Sequence, residues 1–196
     1  MLSETLLDEI RGLHAGPDRG YHGWSHPLAL LALHAEVEPL LHDPEAVRCA
    51  ILLHDAVYEP RRTDNESRSA ALAARMLEGL VPDETLSRTI RLIEATARHA
   101  IPADLPDDEA ADMALFLDMD LAILGAEPDA FDAYEKAVRR EYGWVEEPMW
   151  RAGRAAVLKS FLARPHVFHT RPFRQRFEAR ARENLARSLQ ALQGQP

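Results

Sequence analysis

The sequence predicts an all-α protein built as a bundle of about eight to nine helices. Apolar residues recur at i, i+3 and i+4 through nearly all of the 196 residues. No run alternates with the period of two that a half-buried strand requires. Helix-start signals recur along the chain at the spacing of helices joined by short loops.

The spacing predicts helices over 3–14, 24–41, 44–58, 64–79, 83–99, 108–124, 128–143, 148–163 and 172–192. The second carries Leu28, Leu30, Leu31 and Leu33. The third opens on Asp43-Pro44-Glu45, which supplies an N-cap, a proline at the first helical position and an acid in the first turn. The fourth follows Thr63-Asp64-Asn65-Glu66, the spacing of a capping box. Pro82-Asp83-Glu84 and Glu127-Pro128-Asp129 start two more, with Gly125 closing the helix before the latter. In the last helix Phe173, Phe177, Ala181, Leu185, Leu189 and Leu192 form one apolar stripe, the pattern of a core face or of a homodimer interface. The irregular pieces are 16–23, 59–63, 100–107 and 164–171. With no internal repeat, low-complexity linker or Gly-rich phosphate loop, the expected organisation is one domain over 1–196. Its core spans about 20–145, and helices over 146–192 pack on it.

Composition sets limits on function. A hydrophobic fraction of 46% and a charged fraction of 28% are ordinary for a globular protein. No apolar stretch reaches the roughly 18 residues that cross a bilayer, and Met1-Leu2-Ser3-Glu4-Thr5 lacks a signal-peptide pattern. One cysteine, Cys49, excludes an internal disulfide framework, so the cytoplasm is the expected location. A net charge of -9 argues against general nucleic-acid binding. The charge is uneven: Arg151, Arg154, Lys159, Arg164, Arg171, Arg174, Arg176 and Arg180 face only Glu178 within 151–180. Such a segment is either a solvated face paired with acidic neighbours or a local attraction for an anion.

The chemistry concentrates at His54-Asp55, inside the apolar run Ala50-Ile51-Leu52-Leu53-His54-Asp55-Ala56-Val57. Burying an imidazole and a carboxylate together is costly unless a cation compensates, and both groups are good metal ligands. His26 opens an apolar helix after Tyr21-His22-Gly23-Trp24-Ser25, and Asp118 and Asp120 interrupt the hydrophobic Leu115–Leu124. The two acids stand at i and i+2, point to different faces, and so offer one direct ligand between them. A single histidine on a helix is usually a satisfied core or surface residue, and His14, His34, His42, His166 and His169 are read that way. Four ligand-type groups in apolar helices make independent coincidence a poor explanation.

The order His26 … His54-Asp55 … Asp120 resembles the H…HD…D signature of the HD-domain superfamily of metal-dependent phosphohydrolases. The chain is most similar to a subgroup of small bacterial predicted phosphohydrolases. The matching pieces are Tyr21-His22-x-x-x-His26, His54-Asp55-x-x-Tyr58, Asp64-Asn65-Glu66-x-x-Ser69-Ala70, Thr96-x-x-His99, Asp118-x-Asp120-Leu121-x-x-Leu124-Gly125 and Arg140-Glu141-Tyr142, over about 20–190. The resemblance implies a single-domain HD-type helical bundle with His26, His54, Asp55 and Asp120 as metal ligands. Asp120 is preferred to Asp118 because the apolar turn that follows it fits the family's last aspartate, leaving Asp118 to orient a ligand from behind.

Two imidazoles and two carboxylates suit Mn²⁺, Fe²⁺, Co²⁺, Ni²⁺, Mg²⁺ or Zn²⁺. The implied activity is hydrolysis of a small phosphorylated molecule, a nucleotide or related phosphoester, by metal-activated water. Asp55 is then part of the catalytic centre. Arg61, Arg62 or Arg140 would meet phosphoryl charge. Glu66 would position water or protonate the leaving group, or else serve only in the capping box. His22, Tyr21 and Tyr58 would line the pocket mouth, and His99 would face substrate or join a second metal. A non-catalytic metal- or nucleotide-binding sensor or scaffold is the alternative, and a di-iron oxygenase would need more ligands than the sequence offers.

Overall fold

The computed structural model describes residues 2–194, and among these every regular element is helical. The chain folds as two compact units, one ending at Met119 and one beginning at Asp120.

In the first unit the helices are α1 (Glu4–Leu13), α2 (Ser25–Val37), α3 (Pro44–Leu53), α4 (Asn65–Leu77), α5 (Asp83–Ala95) and α6 (Asp107–Asp120), the last ending at the division itself. Helix α3 is its centre, packing on α2, α4 and α5 with Ala46, Val47, Cys49, Ala50, Ile51, Leu52 and Leu53 all buried. Each fully buried Leu or Ile contributes about 1.5–3 kcal/mol relative to exposure. The Asp43 carboxylate accepts from the Ala46 N–H at 2.9 Å, as its N-cap position predicts. From α6, buried Asp112 accepts the backbone N–H groups of His42 and Asp43 at 2.8 and 2.7 Å. From α5, Thr85 donates its hydroxyl to Asp43 at 2.9 Å. One polar knot therefore fixes the start of α3 against both neighbours.

Several ends fall short of the sequence expectation, each for a local reason. The helix expected over 24–41 closes at Val37 and tightens to a 3₁₀ turn at Glu38–Leu40, where Pro39 has no N–H for the ladder. The helix expected over 44–58 stops at Leu53, so His54 and Asp55 stand at and beyond its end rather than within it. Its closing carbonyls are claimed by imidazoles: Ile51 by His54 Nδ1 at 3.0 Å, Leu52 by His14 Nε2 at 2.9 Å. The capping box expected for Thr63 and Glu66 does not form. Asp64 is the N-cap of α4 and makes no side-chain cap bond, because Arg62 holds its carboxylate with two contacts of 2.6 Å. The helix expected to reach 99 ends at Ala95, where the Thr96 hydroxyl takes the Ile93 carbonyl at 2.7 Å and competes with the ladder.

The second unit holds a 3₁₀ turn (Leu121–Gly125), α7 (Pro128–Glu141), α8 (Glu147–Leu162) and a continuous helical stretch of α9 (Arg171–Phe173), a π turn (Arg174–Glu178) and α10 (Ala179–Gln193). The stripe on the final helix is largely core: Phe173, Phe177, Ala181 and Leu185 are buried, and Leu189 and Leu192 are more exposed. Helix α10 packs on α8 and on the 3₁₀ turn, where buried Asn184 donates to the Leu124 and Ala126 carbonyls at 3.0 and 2.9 Å. Gly125 is required there, since a Cβ would lie 2.6 Å from Cβ of Phe177. The arginine-rich segment is largely engaged within the unit. Arg154 pairs with Glu135 and donates to Tyr134, Arg174 donates to the Phe168 and His169 carbonyls, and Arg180 pairs with Glu127.

Candidate metal centre

Three helix ends carry the cluster. His26 is the second residue of α2, His54 caps the C-terminus of α3, and Asp120 is the last residue of α6. One ligand atom from each lies within 4.8 Å of the others, so the group can hold a metal ion. His26 and His54 are 4% and 2% exposed, and Asp120 is half-buried. Asp118, two residues earlier, is fully buried and lies outside that group.

The donor set can be tested against the spacing a cation demands. The Nε2 atoms of His26 and His54 are 3.1 Å apart. Oδ2 of Asp55 lies 3.1 Å from His54 Nε2 and 3.7 Å from His26 Nε2. Two imidazole nitrogens that each sit about 2.0–2.1 Å from one ion, at angles between square and tetrahedral, are separated by roughly 2.8–3.4 Å. The carbonyl of Ile51 can only accept, so its bond to His54 Nδ1 leaves Nε2 as the ligand-type nitrogen turned inward. Electron-rich atoms this close need protons or a cation between them. The donor set fits a divalent ion.

Burial works to raise the Asp55 carboxyl, but the imidazole of His54, with those of His22 and His26, overcomes it and holds the group well below the usual carboxylate range. Aromatic rings frame the cluster. Tyr21 lies against His26 with ring centroids 4.7 Å apart, and Phe116 meets His54 edge-on at 5.9 Å. His22 stacks on Tyr58 at 4.2 Å. The first unit thus gathers His22, Tyr21 and Tyr58 beside the candidate ligands.

Other candidates lie elsewhere. Arg61 and Arg62 are exposed, and Arg62 is committed to Asp64. Glu66 is half-buried in the first turn of α4. His99 is half-buried after α5 with a left-handed φ of 46°, and its neighbours Ala97, Arg98 and Ala100 line a separate cavity of about 510 Å³. Arg140 is an exposed residue of α7 in the second unit.

One participant has almost no sequence signal. Arg19, in the loop before His22, donates from Nη1 to the carbonyls of His22 and Asp55 at 2.7 and 2.8 Å, and from Nη2 to that of Ala56 at 3.1 Å. Its guanidinium also lies over the Tyr58 ring, 5.6 Å from the centroid. Only its position three residues before His22 marks it, because a basic side chain in a Gly- and Pro-containing loop ordinarily reads as solvated. Cys49 is inert by contrast, its thiol pushed up to about 12 chiefly by burial.

Comparison with protein-family models, curated proteins and solved structures found no match to this chain. Among the described residues, no helix is long and apolar enough to cross a membrane.

Proposed function

We propose that the protein is a metal-dependent phosphohydrolase acting on a small phosphorylated molecule, a nucleotide or related phosphoester. The observation that carries this reading is the pair of buried imidazole nitrogens 3.1 Å apart, with the carboxylates of Asp55 and Asp120 beside them. The resemblance of the motif order to HD-domain phosphohydrolases supplies the reaction class.

In this reading His26, His54, Asp55 and Asp120 hold the ion. When bound, a divalent ion supplies Lewis acidity toward a phosphoryl oxygen and makes water a better nucleophile near neutral pH. Asp55 offers carboxylate oxygens to orient that water through hydrogen bonds. Tyr21, His22 and Tyr58 form the aromatic rim through which a substrate ring would approach. Arg61 and Arg62, just past His54-Asp55, are the local cations for phosphate charge, Arg62 while also paired with Asp64.

The test is metal analysis of the purified protein, followed by a panel of phosphomonoesters and phosphodiesters with Mn²⁺, Co²⁺, Ni²⁺ or Mg²⁺. The expected result is bound metal and turnover, with turnover falling at least about 100-fold in Asp55→Ala. Full occupancy without turnover on any ester would replace this reading with the non-catalytic sensor or scaffold. Unchanged occupancy in Asp55→Ala and His54→Ala would remove the centre itself.

A further inference from the structure

Helix α3 ends where the cluster begins, and the carbonyls of its last turn and just beyond it must find donors that the helix no longer supplies. Those of Ile51 and Leu52 are met by His54 and His14. The Val57 carbonyl is met by the Ser69 hydroxyl at 3.2 Å, which also accepts the Val57 N–H at 3.0 Å. The carbonyls of Asp55 and Ala56 are met by one side chain, Arg19. The same guanidinium takes the carbonyl of His22, on the loop that leads into His26.

We propose that Arg19 is the positioning residue of the centre: its guanidinium clamps the loop carrying His22 and His26 to the turn carrying His54 and Asp55. This rests on the reading of the cluster as a metal site. Nη1 alone bridges the two segments and Nη2 adds the Ala56 carbonyl, so the planar fork fixes three carbonyls in one orientation, which a lysine ammonium at the end of a flexible stem does not reproduce. Tyr58 packs under the guanidinium and His22 stacks on Tyr58, so two rings brace the clamp.

The sign of the effect separates this role from simple electrostatics. A guanidinium beside a cation site repels the ion, so if Arg19 acted only through its charge, removing it would tighten metal binding. If it positions ligands, removing it loosens binding despite the gain in Coulomb energy. Losing an outer support of metal ligands typically weakens affinity by about 10- to 100-fold.

The experiment is Co²⁺ titration of the metal-stripped full chain, followed by the visible absorption of the bound ion, for wild type, Arg19→Ala and Arg19→Lys. Folding of each is checked by far-UV circular dichroism. Wild type should bind Co²⁺. Arg19→Ala should bind about 10- to 100-fold more weakly with an altered absorption spectrum, and millimolar guanidinium should restore part of the affinity. Arg19→Lys, which keeps the charge, should stay weakened, and it decides the matter if Arg19→Ala does not fold. Equal or tighter binding in the folded variants, with the wild-type spectrum, would overturn the positioning role while leaving the metal site intact. Absence of Co²⁺ binding by wild type would overturn both, and shows itself before any variant is compared.

Discussion

Glu178 shows how one side chain in the second unit does the work of several backbone partners. Its carboxylate accepts the Val167 N–H at 3.0 Å, the Phe168 N–H at 3.2 Å and Nε of Arg182 at 2.7 Å, with 15% of the side chain exposed. Burial works to raise this carboxyl, and the two backbone donors and Arg182 outweigh it, holding the group below its usual value of 4.5. A carboxyl depressed in the folded state stabilises above its unfolded pKa, and that contribution fades as pH falls through the folded value. Glu178→Gln should therefore cost about 1–3 kcal/mol near neutral pH, since one amide cannot replace an ionised acceptor of these donors. In urea unfolding, the gap between wild type and variant should shrink steadily as pH drops below the ordinary carboxylate range. A gap of constant size down to about pH 3 would mean that the charge contributes nothing.

At the scale of elements, α3 is held at both ends by polar contacts of different legibility. Its start is readable, because Asp43-Pro44-Glu45 is a local signal whose chemistry acts within one turn. Its end is not, because the residues that stop it act from outside the helix. His14 and Arg19 bond carbonyls, which every residue has, so nothing in their neighbourhood marks which carbonyls they serve. The cluster itself is legible for the opposite reason: ligand-type side chains in apolar segments stand out by composition, and His26, His54 and Asp120 do come together. Thr63 misleads because the helix starts one residue later than the capping-box spacing implies, with Asp64 at the N-cap and its carboxylate held by Arg62. Asp112 carries no local signal at all, though it is a buried support of the start of α3, receiving N–H groups from both His42 and Asp43 while only 3% exposed. Asp112→Ala leaves those donors without an acceptor and should destabilise the protein by about 2–5 kcal/mol. Asp112→Asn, which keeps one accepting oxygen, should cost less. Chemical unfolding of the two variants measures the difference, and equal stabilities would mean that water satisfies the helix start.

Across the whole molecule, the candidate ligands come from the ends of α2, α3 and α6, elements far apart in sequence. An ion held there ties the three ends together only in the folded chain, because the unfolded chain does not present the set at one point. Ligand linkage then fixes the size of the effect. At a free metal concentration about 100 times the dissociation constant, the folded state gains about 2.7 kcal/mol. For a chain of this size each kcal/mol moves the melting temperature by about 2–4 °C, so saturating Mn²⁺ or Co²⁺ should raise it by about 5–10 °C, and chelation should reverse the shift. The net charge of -9 draws any divalent cation weakly to the surface, so a small rise alone is not diagnostic. His26→Ala and Asp120→Asn separate the two causes: each leaves surface attraction nearly intact and removes one ligand of the cluster. The shift should collapse in both variants, and a shift that survives in both would assign the stabilisation to diffuse charge rather than to a site.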